Sequence, residues 1–198
     1  SVSCEIEVTT NEVAVKSIKL NTNSVEIKKG EIYYTQVTFN PTNATDKNIT
    51  WKSSNPSVAT VNNKGQIVGK SGGEATITAR TTNGKSASIK VKVIVPVSSV
   101  IITGESKIKV GDTTTYKVDI TPSDASNQKV TWTSGNTGVV TINSKGIITG
   151  KGVGTAKGVG EATITATSKN GKTSTCKVTV KENNNLPTKI TLNYTGTE

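Results

Sequence analysis

Apolar and polar residues alternate along most of this 198-residue chain, with the period of two that is typical of half-buried β-strands. The stretch EATITAR at 74–80 places its two alanines and its isoleucine on one face, and its threonines and arginine on the other. The stretch SASIKVKV at 86–93 exposes Lys90 and Lys92 in the same way. Its inward-facing residues are predicted to be Ala87, Ile89, Val91 and Val93.

Short polar turns separate these stretches and contain the residues that most easily adopt left-handed backbone conformations. They are NNKG at 62–65, NGK at 83–85, NSKG at 143–146 and NGK at 170–172. No segment has the 3.6-residue periodicity of a helix. About seven short strands in about 85 residues predict an all-β chain built from sandwiches of two antiparallel sheets.

The chain contains a large internal repeat. Residues 48–70 align with residues 129–151 at a constant offset of 81, which brings Trp51 onto Trp132. Beyond this point the offset becomes 87, and GEATITA at 73–79 recurs at 160–166. The chain therefore consists of two copies of one unit.

Six extra residues explain the change of offset. The segment KGVGTAKGVGEA at 151–162 contains nearly the same six residues twice, which indicates a local duplication. An even insertion leaves the inward and outward faces of the flanking strands unchanged. The segment does not predict a nucleotide-binding loop, because Lys157 stands where the third glycine is needed and a strand pattern follows.

The repeat defines the expected domains. Residues 11–95 form the first domain and residues 96–182 the second. Residues 1–10 resemble the last strand of a preceding repeat, and residues 183–198 resemble a linker with the first strand of a following one. We therefore expect this chain to be a processed product or an excerpt of a longer protein.

Each unit has one tryptophan, Trp51 or Trp132, on a middle strand. We expect both to fill the core between the sheets; the alternative is an exposed ring that stacks on a sugar. Cys4 and Cys176 occupy apolar positions of alternating stretches and are expected to be small buried residues. They take equivalent places in different domains, so a disulfide between them is disfavoured.

The net charge of +10 does not indicate a nucleic-acid-binding protein. Residues 1–95 and 96–198 each contain 12 basic and 7 acidic side chains, so no arm concentrates the charge. Arg80 is the single arginine, and aromatic residues make up only 4% of the chain. The lysines predict a solvated surface; the alternative is a surface that meets anionic polymers such as wall polysaccharide. No apolar run is long enough to insert into a membrane.

The sequence offers no catalytic, cofactor-binding or metal-binding residues. Histidine is absent, which removes the most common general base and metal ligand. Four aspartates occur in or near loops without the close spacing of a calcium site: Asp46, Asp112, Asp119 and Asp124. We predict a protein that is not an enzyme and needs no cofactor, and the sequence singles out no ligand-binding residues.

Three motifs in the first unit resemble the bacterial immunoglobulin-like (Ig-like) domain, group 2. They are WKSSNPSVATV at 51–61, KGQIVGK at 64–70 and GEATITA at 73–79. The resemblance implies tandem Ig-like antiparallel β-sandwiches of about seven strands each, as in intimin- and invasin-like surface proteins. It also implies no catalytic residues. The family further occurs on extracellular polysaccharide-degrading enzymes and in phage virion proteins.

The expected function is that of a non-catalytic structural and adhesive repeat segment of a larger bacterial cell-surface or secreted protein. It would act as a spacer and as a contact surface for a partner, and further Ig-like repeats would flank it in the parent chain. Expected partners are a cell-wall or host polysaccharide or a surface protein, at the bacterial surface or outside the cell. The alternative is a glycan-binding accessory or decoration module of a secreted polysaccharide hydrolase or of a phage virion.

Overall fold

The computed structural model describes residues 11–151 and 159–183. The chain divides between Val95 and Pro96 into two compact units, here called domain 1 and domain 2. Cys4, the strands expected in 1–10 and 183–198, and most of the duplicated segment at 151–162 lie outside the described residues.

Domain 1 contains nine strand segments: β1 (Ser17–Leu20), β2 (Ser24–Lys28), β3 (Ile32–Tyr34), β4 (Val37–Asn40), β5 (Ile49–Ser53), β6 (Ala59–Val61), β7 (Gln66–Gly69), β8 (Gly73–Thr81) and β9 (Ser86–Ile94). Strands β2, β9, β8 and β5 form a four-stranded sheet in that order. Facing it are the sheet β3–β7–β6 and the pair β1–β4. The domain thus has nine strand segments where about seven strands were expected, and some of them, such as β3 and β4, are only two residues apart.

Domain 2 repeats this arrangement with β10 (Ser99–Thr103), β11 (Lys107–Lys109), β12 (Thr113–Thr115), β13 (Lys117–Thr121), β14 (Val130–Ser134), β15 (Val140–Ile142), β16 (Ile147–Gly150), β17 (Gly160–Ser168) and β18 (Thr173–Lys181). Its four-stranded sheet has the order β11-β18-β17-β14. The pair β10–β13 and the sheet β12-β16-β15 complete the domain. The all-β sandwich expected from the alternation is confirmed.

One pairing in each domain departs from the antiparallel pattern. Strand β2 runs parallel to β9, with Val25 opposite Val91 and Ile27 opposite Val93. Strand β11 runs parallel to β18 in the equivalent way. The first strand of each four-stranded sheet is thus hydrogen-bonded to the last strand of the same domain, and all other described pairs are antiparallel.

The core of domain 1 lies between the two layers and uses the residues that the alternation predicts. Ile77 and Ile89 from the four-stranded sheet are fully buried, as is Ile67 from the facing sheet. Ala87 is only partly buried, because it lies near the start of β9. Burial of each such isoleucine contributes about 1.5–3 kcal/mol, so these few residues carry much of the stability.

The tryptophan of each domain joins two groups of core residues. Trp51 is partly buried and packs against both core clusters of domain 1, and Trp132 does the same in domain 2. A tight turn supports each indole: Gly65 has a φ of 74°, and a Cβ added there would lie 2.8 Å from Trp51 Cζ2. The glycine that ends NNKG is therefore needed both for the turn and for the tryptophan above it.

Domain 2 fills one part of its core differently. The backbone N–H groups of Thr35 and Tyr116 donate to the carbonyls of Gly65 and Gly146, so the two residues are equivalent. Tyr116 is buried, and its hydroxyl donates to the carbonyl oxygen of Glu105 at 2.5 Å. Burial, with an added contribution from Cys176, raises the pKa of Tyr116 well above its ordinary value.

The larger ring of Tyr116 depends on small neighbours. A Cβ on Gly104 would overlap the ring, so only glycine fits there. Cys176 packs against the same core where domain 1 has the larger Ile89. The two domains thus share a fold and differ in a compensated exchange of core volume.

Asp46 ties a loop of domain 1 to the β8–β9 hairpin. Its carboxylate accepts hydrogen bonds from the N–H of Asn48 at 2.9 Å and from the hydroxyl of Thr82 at 2.5 Å. The bond from Thr82, followed by the one from Asn48, lowers the pKa of Asp46 below 3.8. At the equivalent place in domain 2, Asn127 accepts from the N–H of Lys129 at 3.0 Å.

Replacing Trp51 by alanine should destabilise domain 1 by about 3–5 kcal/mol, because the indole joins both parts of its core. Urea denaturation followed by circular dichroism measures the effect, and the fluorescence of Trp132 then reports domain 2 alone. Trp51→Phe is the matched control, which retains a ring and should lose less. An unchanged domain 1 transition in Trp51→Ala would contradict the bridging role.

Asp46→Asn should lower the melting temperature of domain 1 near neutral pH and have less effect in acid. A carboxyl group with a lowered folded pKa stabilises the fold above its unfolded pKa, and this contribution is lost as the pH falls through the folded pKa. The difference in melting temperature between wild type and variant should therefore narrow below about pH 3.8. A difference in melting temperature that stays constant from neutral pH to acid would contradict a stabilising role of the ionised Asp46 carboxylate.

Candidate functional site

A shallow depression lies on the outer face of the four-stranded sheet of domain 1. Its volume is about 520 Å³. The polar side chains that line it come from β2, β8, β9 and the residue after β5: Ser24, Glu26, Ser54, Glu74, Thr76, Lys90 and Lys92. Because outward residues recur at every second position of a strand, these side chains share one face.

Charged residues form a row across the depression. Lys92 on β9 is the register partner of both Glu26 on β2 and Glu74 on β8. Its ammonium group lies 2.8 Å from Glu26 Oε2, and both groups are more than half exposed. The hydrogen bond with Glu26 raises the pKa of Lys92, and the charges of Glu26 and Glu74 add to this. An ion pair this exposed contributes little to stability.

Ser54 forms the end wall of the depression. Its N–H donates to the carbonyl of Thr76 at 2.9 Å, and its hydroxyl accepts from the N–H of Thr76 at 2.8 Å. The β5–β8 pairing ends after Ser53, and the hydroxyl of Ser54 then takes the place that a backbone carbonyl has in a regular ladder.

Domain 2 has a depression at the equivalent place, with a volume of about 370 Å³. It retains a carboxylate, a hydroxyl and an ammonium group in Glu161, Thr163 and Lys177. Gly135 replaces the end-wall serine. Domain 2 also lacks the acidic partner on the first strand, since Lys107 stands opposite Thr179.

These depressions are suited to recognition by hydrogen bonds and charge. Hydroxyl, carboxylate and ammonium groups are exposed side by side and can bind a polar or charged ligand. In the described ranges, no three carboxylate or cysteine side chains come together in a way that could hold a metal ion. Of the aspartates that the sequence places in or near loops, Asp46 belongs to domain 1, and Asp112, Asp119 and Asp124 belong to domain 2.

Cys176 lies apart from the depressions. It is partly buried against the core of domain 2, and its sulfur is 3.6 Å from the carbonyl oxygen of Lys177. Its thiol is not part of a disulfide. This agrees with a packing role more than with that of a reactive group.

An exposed aromatic side chain that was not predicted occurs on the opposite sheet of domain 1. Tyr34 is 64% exposed, and Ile32 beside it is 48% exposed. Domain 2 has Thr113 and Thr115 on the corresponding strand. The alternation that turns Thr35 inward also turns Tyr34 outward, and this is the signal in the sequence that indicates the exposed ring.

Two segments of the chain, residues 14–91 and 96–192, match the family described as bacterial Ig-like domain (group 2). The chain is 30% identical to an uncharacterized protein of Clostridium acetobutylicum over 139 residues, which cover 69% of this chain and 14% of that protein. It is also 35% identical to an Ig-like virion protein of Serratia phage KSP90 over 86 residues, 43% of this chain and 33% of that protein.

A third relative is the kappa-carrageenase of Pseudoalteromonas carrageenovora, which is 41% identical over 71 residues, 36% of this chain and 18% of the enzyme. The chain therefore spans a third or less of the length of these relatives. Among solved structures, the four N-terminal Ig domains of Dscam1 isoform 4.4 have a TM-score of 0.55 at 13% identity, covering 89% of this chain and 48% of that one. That likeness concerns the fold alone.

The family match covers both repeat units and agrees with the sandwiches described above. It also confirms the resemblance expected from WKSSNPSVATV and GEATITA. The chain belongs to the bacterial Ig-like domain family, group 2, and carries two such domains in tandem.

Proposed function

We propose that this chain is a non-catalytic, tension-resistant repeat segment of a larger bacterial cell-surface or secreted protein. Its two domains act as a spacer and expose contact surfaces, and further Ig-like repeats flank them. Membership of the Ig-like family and the tandem arrangement support this proposal. In the described residues, no helix has the length and apolarity needed to cross a bilayer.

The parallel pairing of the first and last strands of each sheet is the observation that carries the proposal. In domain 1, Lys90 N–H donates to the carbonyl of Asn23 and Lys29 N–H to that of Ile94, both at 2.9 Å. In domain 2, Thr179 N–H donates to Ser106 and Val110 N–H to Lys181, also at 2.9 Å. We call each set of bonds the terminal clamp of its domain.

The geometry of the terminal clamp determines how a domain responds to tension. A pull on the chain draws β2 towards its N-terminal end and β9 towards its C-terminal end. Because the two strands are parallel, this force slides them along each other and loads their evenly spaced hydrogen bonds together. Bonds loaded in shear must break at the same time, which suits a domain in a protein that links two surfaces.

Single-molecule stretching of the whole chain through its ends tests this function. We expect two separate unfolding events, each releasing less than about 290 Å, since about 80 residues extend by at most ~3.6 Å each. Lys29→Pro removes one N–H of the domain 1 clamp and should lower the unfolding force of one event only. The other event, from domain 2, is the control within the same molecule.

Two results would overturn this proposal. One is a Lys29→Pro chain in which both events keep the wild-type force, because the clamp would then not bear the load. The other is a wild-type chain that extends gradually without discrete events. Equilibrium denaturation of the same variant establishes that domain 1 is still folded before it is pulled.

A second candidate function is that of a glycan-binding accessory or decoration module, on a secreted polysaccharide hydrolase or on a phage virion. The polar depressions at equivalent places in both domains favour it. The similarity to a virion protein and to a carrageenase is consistent with it. We expect saturable, salt-sensitive binding to cell-wall or host polysaccharide, and absence of binding at low salt would contradict this function.

A further inference from the structure

Four lysines of domain 2 lie together on the outer face of the β11–β18 pair, and we call them the lysine edge: Lys107, Lys109, Lys177 and Lys181. All four side chains are exposed. Between them, Ile108 and Val180 are buried, so the lysines are on the opposite, solvent-facing side of the strands. Lys177 and Lys181 are about 13 Å apart along β18, and neighbouring strands are about 4.8 Å apart.

The lysine edge places like charges in direct register. Lys109 is the register partner of Lys181, and Lys107 pairs with the neutral Thr179. Like charges opposite each other on neighbouring strands destabilise a sheet. Among the described residues, none of the four ammonium groups forms an ion pair. The nearest carboxylate in the register is Glu161, which lies across Thr179 on β17.

Domain 1 has a different pattern of charges at the equivalent positions. There Glu26 pairs with Lys92 in an ion pair, and Lys28 pairs with the uncharged Ile94. Six positions can be compared between the domains: the four of the lysine edge together with those of Glu161 and Thr179. In domain 1 they hold three lysines, two glutamates and Ile94, a balance of +1. Domain 2 has four lysines and one glutamate, a balance of +3. The uncompensated charge is therefore particular to domain 2.

The rest of this face in domain 2 is covered with hydroxyl groups. Thr133, Thr165 and Thr175 form one cross-strand row, as each is the register partner of the next. Thr131, Thr167 and Thr173 form the next row. In domain 1 the same two rows contain Lys52 and Arg80. Domain 2 thus combines a cationic edge with a neutral, hydroxyl-rich surface.

We propose that this face of domain 2 binds an acidic polysaccharide, with sulfate or carboxylate groups on the lysine edge and sugar hydroxyls on the threonine rows. The inference rests on the glycan-binding function proposed above and assigns it to one surface. Lysine ammonium groups serve as point charges for such anions. Nucleic acid fits less well, because the face has no arginine for base contacts and no aromatic ring for stacking.

The experiment measures binding of the full chain to three forms of one glucan: dextran, carboxymethyl dextran and dextran sulfate. The test variant replaces all four lysines of the edge, K107Q/K109Q/K177Q/K181Q. The matched control, K19Q/K28Q/K52Q/K64Q, removes the same charge from domain 1 at exposed lysines that do not line its depression. Melting curves establish that both variants are folded, and a DNA duplex serves as a second polyanion.

Wild type should bind the two anionic dextrans and not the neutral one, with an affinity that falls as salt is added. The test variant should lose at least about tenfold in affinity, and the control less than about twofold. An equal loss of affinity in both variants, or no loss in either, would show that the lysine edge is not the binding surface. The glycan-binding function itself would still stand. A wild-type chain that binds none of the three forms of dextran would overturn the glycan-binding function itself. Binding to DNA as tight as to dextran sulfate would overturn polysaccharide recognition and show a nonspecific attraction to polyanions.

Discussion

The parallel pairing of the first and last strands of each four-stranded sheet is the constraint on which the other features depend. It brings Ile27 over Val91 and Val93, and so closes the core on that side. It also joins the second strand of a domain directly to its last strand, so tension that passes through β1 or β10 reaches backbone hydrogen bonds between them. In domain 2 the same register brings Lys109 beside Lys181. Stability, resistance to force and the pattern of surface charge therefore follow from one pairing.

The interior shows how two copies of a sequence keep one fold while their details diverge. In both domains an indole rests on a turn glycine, Gly65 or Gly146, and links two parts of the core. Around Tyr116, domain 2 has exchanged several side chains, and the changes compensate each other in volume. The outer faces carry no such packing constraint, so their charges could diverge more freely and give each domain its own contact surface.

Local signals in the sequence predicted the architecture well. Alternation identified the inward faces of β8 and β9, and the offset repeat located both tryptophans. The parallel pairing could not be predicted this way, because alternation gives the face of a residue but not the strand beside it. The lysine edge was missed for the same reason: each half of the chain has a balance of +5, and only the register brings four lysines together. The alternation along β13 and the residue before it gives Tyr116 an inward position, whereas its requirement for Gly104 appears only in three dimensions.

The central claim, that each domain is closed by a terminal clamp, is tested most directly by amide hydrogen exchange followed by NMR. The clamp amides of Lys29 and Lys90 in domain 1, and of Val110 and Thr179 in domain 2, are the donors to compare. The account predicts that they exchange as slowly as amides in the middle of β8 and β17. Exchange as fast as that of a turn amide such as Lys64 would show that the terminal strands are not held, and would contradict the account.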